Sequence, residues 1–376
     1  MPDGTHRYEV AVVGAGQAGL AMGYFVRQQG REFVILERAD HVAPQWRERW
    51  DSLTLFTSRR YDSLPDVQFP GEPDGYPTRD EVIAYLEGYV QAFDLPIRFE
   101  AEVQALRRDG DGFELHTSSG VVLADQVVIA TGPFQQPRVP EFAASLSDDV
   151  VQFHSTRYRS PTGLPAGRTL VVGGGNTGYQ IAEELAATRE VHLAVGGRQM
   201  PLPQRLLGKD LFWWLTKTGL IDKTVETKVG QRAKGRPDTL VGSSPRKAKR
   251  QGITLHPRVT GALGRAVTFS DGSDIEVDGV VWATGFASDY SWIDLPVADD
   301  SGCIAHRRGV TAVPGLYMLG MPWQYTRGSA LLGWVKDDAQ FIAQRIAERA
   351  GSARPDSTSI GTSAAAMPHV TTRQGD

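Results

Sequence analysis

Three glycines, Gly14, Gly16 and Gly19, stand in the spacing G-x-G-x-x-G directly after an apolar run at residues 10–13. In that setting the first glycine permits a tight turn, and the second lets a pyrophosphate reach the backbone. The third lets the following helix pack closely on the strand. The helix N-terminus then offers free N–H groups and the positive end of its dipole to phosphate. Glu37 lies about 20 residues on, at the end of the next apolar run, where a carboxylate accepts hydrogen bonds from both hydroxyls of an unphosphorylated ribose. Strand, helix, second strand and acid together read as a dinucleotide site.

The pattern recurs. Gly173, Gly175 and Gly178 follow a second apolar run, but the next strand ends in Gly196, Gly197 and Arg198, with no acid. A guanidinium there would pair bidentately with a 2′-phosphate that a carboxylate would repel, which selects NADPH over NADH. Two hydride carriers of the same kind in one chain add nothing, whereas a flavin and a nicotinamide can exchange a hydride. Glu37 suits the unphosphorylated ribose of FAD, so FAD is expected at the first turn and NADPH at the second.

The outlet for the electrons is narrowed by what the chain lacks. Its one cysteine, Cys303, excludes a redox C-x-x-C pair, a disulfide framework, a cysteine-rich zinc site and an iron–sulfur cluster within the chain. The eight histidines show no H-x-x-x-H spacing, so no metal site is expected. Molecular oxygen, or a diffusible organic or protein acceptor, remains.

The elements that must position these residues follow from hydrophobic period and punctuation. Residues 10–13 and 33–36 read as buried strands flanking a helix over 17–29, a β-α-β opening. Residues 39–77 are aromatic-rich and without period. Thr78 and Glu81 form a capping box ahead of a helix. Short strands with turns at 109–112 and 118–120 lead to a buried strand ending in Ala130, Thr131 and Gly132. A second unit follows: strand 169–172, helix 176–188, strand 191–195, and later strand 280–283 ending in Thr284 and Gly285. A strand over 315–320 and a helix from about 329 to 350 close the pattern, and residues 351–376 read as a mobile tail. The fold class is therefore α/β with two interleaved Rossmann-like domains, a three-layer FAD domain receiving an inserted NADP domain. The expected division is 1–150 with 286–350 for FAD and 151–285 for NADP.

With 41% hydrophobic residues the chain can build a large core. A formal charge of −4 argues against a broad sequence-independent nucleic-acid surface. No apolar stretch approaches the length of a membrane span, so a cytoplasmic protein without a membrane span is expected. Association of identical chains is left open.

The motifs resemble those of the single-component flavin-containing monooxygenases, especially small bacterial members and the plant enzymes that form auxin from indole-3-pyruvate. The resemblance runs from residue 10 to about 350. It rests on the Gly14 turn, Trp46 with Arg47, Ser52 with Leu53, Leu64 with Pro65, and Tyr76, Pro77 and Thr78. It also rests on the two Ala-Thr-Gly segments, His154, Ser155 and Tyr158, and Asn176 in the second turn. It implies NADPH-driven reduction of FAD and addition of oxygen to give a C4a-(hydro)peroxyflavin. One oxygen atom then passes to a small, mostly apolar organic substrate. The reaction could be N- or S-oxygenation, Baeyer–Villiger insertion or oxidative decarboxylation. It further implies cofactor contacts at Arg38, Gln45, Trp46, Val103, Ala130, Thr131, Gly132, Asn176, Thr177, Thr284, Gly285, Gly320 and Leu331, beside the glycine turns, Glu37 and Arg198. No residue is certain as a catalytic group; Phe56, Asn176 and Trp323 are candidates.

The chain departs from the family pattern at three places. Val150 stands where the motif has glycine, Ala43 and Pro44 where two glycines precede the tryptophan, and Phe56 where many members carry a peroxyflavin-supporting asparagine. Phe56 would line an apolar pocket instead. Two other readings are an NADPH-linked flavin reductase or oxidase serving a quinone, oxygen or a protein, and a flavin-binding sensor without turnover. Phe212, Trp213 and Trp214 are expected in core packing or an interface, with a pocket-lining role as the alternative. Residues 246–250 are expected as a solvated basic helix face, His154 as a linker between domains, and Cys303 as inert.

Overall fold

The structure is a computed structural model that describes residues 6–236, 239–299 and 303–352. The first part of the chain forms β1 (Arg7–Val13), α1 (Gln17–Gln28), β2 (Phe33–Leu36), the short α2 (Pro44–Arg47), α3 (Arg79–Phe93), β3 (Ile97–Arg98), β4 (Val103–Asp109), β5 (Gly112–Thr117) and β6 (Gly120–Ile129). A linker strand, β7 (Gln136–Pro137), leads to β8 (Val151–His154), β9 (Arg168–Val172), α4 (Asn176–Leu185) and β10 (Glu190–Ala194). An excursion follows: β11 (Met200–Leu202), β12 (Arg205–Leu206), β13 (Lys209–Asp210), α5 (Leu211–Lys217), α6 (Lys228–Lys234), β14 (Thr239–Val241) and α7 (Pro245–Arg250). Then come β15 (Thr254–His256), β16 (Val259–Leu263), β17 (Ala266–Phe269), β18 (Asp274–Glu276), β19 (Gly279–Trp282), β20 (Phe286–Ala287), β21 (His306–Arg307), β22 (Val310–Thr311), β23 (Leu316–Met318) and α8 (Val335–Ser352).

Two sheets organise these elements. The first runs β21-β22-β23-β6-β1-β2-β3, with β5 and β4 continuing from the antiparallel start of β6. Its central strands β23, β6, β1, β2 and β3 are parallel. The second runs β15-β10-β9-β19-β8 and is parallel throughout. Between β6 and its partner β23 the chain leaves, builds the second sheet, and returns.

The strands are apolar on both faces because both faces are covered. Val10, Val12, Ile35 and Val128 pack under α1, α3 and α8, while Ala11, Val13, Val34 and Ile129 pack against β4 and β5. In the second sheet Val171, Leu193 and Val281 meet α4, and Leu170, Val172 and Val280 meet the β16–β18 meander. The irregular 39–77 region is not a loose loop. Trp46 donates its Nε1–H to Gln17 Oε1 at 3.1 Å, while Trp50, four residues on, is buried in the core of the second sheet. The segment therefore ties the two sheets together.

Several boundaries differ from the sequence expectation: α4, for one, ends at Leu185 rather than 188. The last helix begins at Val335, so Leu331 and Trp334 precede it; a 3₁₀ turn, Arg327–Ala330, stands before them. At Gly333 an added Cβ would lie 1.9 Å from Tyr61 O, so the chain passes against the 59–61 turn where only glycine fits. At the other end Gly351 and Ser352, expected in the tail, continue α8, and residues 353–376 lie outside the described residues.

Candidate functional site

Because the central strands of each sheet are parallel, their C-terminal ends share one edge, where open α/β sheets bind ligands. On the first sheet that edge collects Gly14 after β1, Glu37 after β2, Ala130, Thr131 and Gly132 after β6, and Gly320 after β23. On the second it collects Gly173 after β9, Gly196 to Arg198 after β10, Thr284 and Gly285 after β19, and His154 at the end of β8.

The two glycine turns are near copies. Gly14 has φ +109° and Gly173 φ +138°, both in the region that favours glycine. A Cβ at Gly19 would lie 1.8 Å from Gly14 O, and one at Gly178 1.9 Å from Gly173 O, so helix and turn touch backbone to backbone. A Cβ at Gly16 or Gly175 would meet nothing within 4 Å, which leaves open backbone for a ligand to approach. The helix ends agree. Side chains of Thr78, Asp210, Thr227 and Ser244 cap α3, α5, α6 and α7, whereas α1 and α4 begin at Gly16 and Gly175 without a side-chain cap. Their first N–H groups are left for an anion. Both turns thus fit a dinucleotide pyrophosphate.

Around the first turn, Glu37 is buried and accepts hydrogen bonds from Ala15 N–H at 2.8 Å and Ala39 N–H at 3.0 Å. Each oxygen keeps a second lone pair. A cleft of about 510 Å³ opens beside it, lined by Arg38, His41, Arg47, Glu102 and Arg159 among others. Gln45 and Trp46 sit on α2, Val103 opens β4 next to the cleft wall at Glu102, and Gly320 packs on Ala18 of α1.

Around the second turn, Arg198 is exposed just after the end of β10. A second guanidinium stands close by: Arg258 donates to Gly196 O at 2.9 Å. Sequence reading missed it because Arg258 comes from the end of the neighbouring strand β15, sixty residues away in the chain. Asn176 is engaged by backbone on both sides: its Nδ2 donates to Thr239 O at 3.0 Å and its Oδ1 accepts from Val241 N–H at 2.8 Å. The side chain pins β14 beside the turn. Thr177 follows it in the first turn of α4.

Phe56 stacks on Phe212, with ring centroids 5.9 Å apart, in an apolar cluster that also takes in Tyr61, Leu331 and Trp334. Three segments far apart in sequence thus form one aromatic wall, and Phe212 belongs to it while Trp213 and Trp214 lie outside. Trp323 is half-buried on a left-handed backbone, φ 56°. Asp62, which follows Tyr61 in the chain, is fully buried. Thr57 donates its hydroxyl to Asp62 Oδ1 at 2.7 Å, while Oδ2 has no partner. Burial pushes this carboxyl up to about 7, Thr57 opposes the rise, and the charge on Asp210 adds to it.

The two linkers run side by side as the antiparallel pair β7–β20. His154 reaches Gly285 O at 3.0 Å, a contact within the 151–285 stretch, and burial holds its imidazole below its usual range. Arg49 is 91% buried, with its guanidinium 4.5 Å from the Phe134 ring and 5.6 Å from the Phe286 ring. Burial lowers it to about 10, so it stays cationic at neutral pH. The basic helix α7 is mostly exposed, though Lys247 pairs with Glu183 at 2.8 Å; Cys303 is exposed. Among the described residues no cluster of histidine, cysteine and acid could hold a metal, and no helix is long and apolar enough to cross a membrane.

The family described as pyridine nucleotide-disulphide oxidoreductase matches residues 11–204. The uncharacterized oxidoreductase CzcO-like of Geobacillus kaustophilus is 47% identical over 91% of this chain and 99% of its own. The indole-3-pyruvate monooxygenase YUCCA1 of Oryza sativa is 30% identical over 89% of this chain and 90% of its own. Among solved structures, the flavin-containing monooxygenase from Stenotrophomonas maltophilia superposes with a TM-score of 0.77 at 26% identity, covering 92% of this chain and 99% of that one. The chain belongs to the single-component flavin monooxygenase family. This flavin monooxygenase homologue is an oxidoreductase built on an FAD- and NADP-binding fold.

Proposed function

We propose that this chain is an NADPH-dependent FAD monooxygenase that inserts one oxygen atom of O2 into a small, mostly apolar organic substrate. FAD occupies the edge of the first sheet, held by the unit made of residues 1–150 and 286–350, and NADPH the edge of the second, held by residues 151–285. The observation that carries this reading is the duplicated glycine turn, open at Gly16 and Gly175 and followed each time by an uncapped helix, in a chain with one cysteine.

When bound, the flavin supplies reductive activation of oxygen at the expense of NADPH. The chain's residues position and protect. The N–H groups opening α1 and α4 hold the pyrophosphates, Glu37 orients the first ribose, and Arg198 with Arg258 pairs with the 2′-phosphate. The wall of Phe56, Tyr61, Phe212, Leu331 and Trp334 excludes water and offers apolar surface to the substrate.

Anaerobic mixing of the yellow protein with NADPH, followed by oxygen, tests the reading. The expected result is bleaching by NADPH, and then a transient absorbance distinct from both reduced and oxidised flavin that decays with oxygenated product. Direct return of oxidised flavin with stoichiometric hydrogen peroxide, in the presence of a panel of amines, sulfides, ketones and 2-oxo acids, would identify an oxidase instead.

A further inference from the structure

Residues 205–236 carry eight basic and three acidic side chains, a local charge of +5 in a chain whose formal charge is −4. This stretch opens with the β12–β13 hairpin, whose tip residues Leu207 and Gly208 have positive φ, 51° and 76°. Leu207 is 84% exposed and Leu206 48% exposed. Trp214 donates its Nε1–H to Leu206 O at 3.0 Å, which holds the indole against the hairpin. Trp213 stands edge-on to Trp214 at 4.8 Å, with Lys209 Nζ 5.8 Å from the Trp213 ring. The inner side of α5 is different: Leu211 and Phe212 are buried in the aromatic wall with Phe56 and Trp334. One short helix therefore separates the wall of the proposed substrate site from a convex tip of leucines, indoles and cations.

We propose that the hairpin and α5 dock this enzyme on the surface of an anionic lipid bilayer. Leu206 and Leu207 enter the acyl boundary, and Trp213 and Trp214 lie at headgroup depth. Lys209, Lys217 and Lys223 meet lipid phosphates, whereas Arg205 is tied inward, donating to Asp74 O and lying over the Tyr76 ring. Three observations favour a bilayer over a protein. The tip is convex and aliphatic, so a protein partner would need a matching pocket, whereas fluid acyl chains close around it. Indoles beside exposed leucines and lysines match the depth profile of an interface. A second copy meeting this face about a two-fold axis would bring the same three lysines against themselves. Attachment would be peripheral. If the function proposed above holds, the substrate class narrows to lipophiles that partition into the bilayer and reach the site past α5.

The test is co-sedimentation of the full chain with vesicles of pure phosphatidylcholine and of phosphatidylcholine with phosphatidylglycerol. It needs no catalysis, so its outcome is independent of the oxygenation reading. Binding to the anionic vesicles, weakened by 0.5 M salt, is expected. Leu206→Ser with Leu207→Ser, and separately Lys209→Glu with Lys217→Glu, should each reduce the bound fraction at least about tenfold while circular dichroism and thermal unfolding stay unchanged. No binding to anionic vesicles at low salt would overturn the proposal. So would binding that both variants retain. A wild-type dimer in light scattering that the leucine variant dissociates, without vesicle binding, would assign the face to a second copy and likewise overturn it.

Discussion

Arg198 and Arg258 reach the end of β10 from two different strands, and one phosphate would engage both. Replacing either with alanine should raise the KM for NADPH by about tenfold or more and leave that for NADH nearly unchanged, which steady-state kinetics with the two nucleotides would measure. Equal effects on both nucleotides would remove the 2′-phosphate assignment. Asp62 makes a different prediction, about pH. Its folded carboxyl ionises at about 7, against about 4 in an unfolded chain. The native state therefore holds a proton that the unfolded state has released between these values. The resulting stabilisation is complete below pH 4 and is lost as pH rises to 7, on the order of 4 kcal/mol if nothing else relaxes. Asp62→Asn should flatten that slope, so that urea unfolding at pH 5 and pH 8 differs less in the variant than in the wild type. At this scale the glycine spacings, Glu37 and Arg198 could be singled out because each lies at or just after the end of an apolar run. Arg258, Asp62 and Arg49 were not. Their surroundings are assembled from distant segments, and no local period marks a buried charge.

Elements turn these residues into sites. Gly178 lies where a methyl group would meet Gly173 O at 1.9 Å, so Gly178→Ala must push α4 away from its turn. We expect a folded, yellow protein whose NADPH affinity falls by about tenfold or more, read by anaerobic flavin bleaching against nucleotide concentration. Gly19→Ala meets the same obstacle in the first turn, and should weaken FAD retention instead. The contrast between the two variants tests which turn holds which nucleotide. Thr78 reports on ordinary helix chemistry: with Glu81 it closes a capping box on α3, and Thr78→Ala should cost about 1 kcal/mol in urea unfolding without altering either cofactor. That box was legible from its four-residue pattern. The start of α8 was not, because apolar residues at helical spacing continue through Leu331 and Trp334. In the structure those residues instead follow a 3₁₀ turn, and the helix starts only at Val335.

For the whole molecule, the question is what keeps two nucleotide edges in one arrangement. Trp50 leaves the first unit and is buried in the core of the second, beside Tyr158 and Tyr179. Trp50→Ala should lower stability by about 3–5 kcal/mol and separate the unfolding of the two units in calorimetry, while FAD remains bound at 25 °C. A single undiminished transition would show that the β7–β20 ribbon and Arg49 suffice to hold the units together. By itself the amino-acid sequence determined the α/β class, the two nucleotide turns and the identity of the family, because phosphate cradles are built from contiguous backbone and so leave a contiguous trace. The tertiary structure alone decided that Phe56, Phe212 and Leu331 form one wall, that Arg258 joins Arg198, and that the irregular 39–77 segment couples the sheets. Those features depend on side chains meeting across long separations in the chain, and spacing along a sequence carries no measure of distance in space.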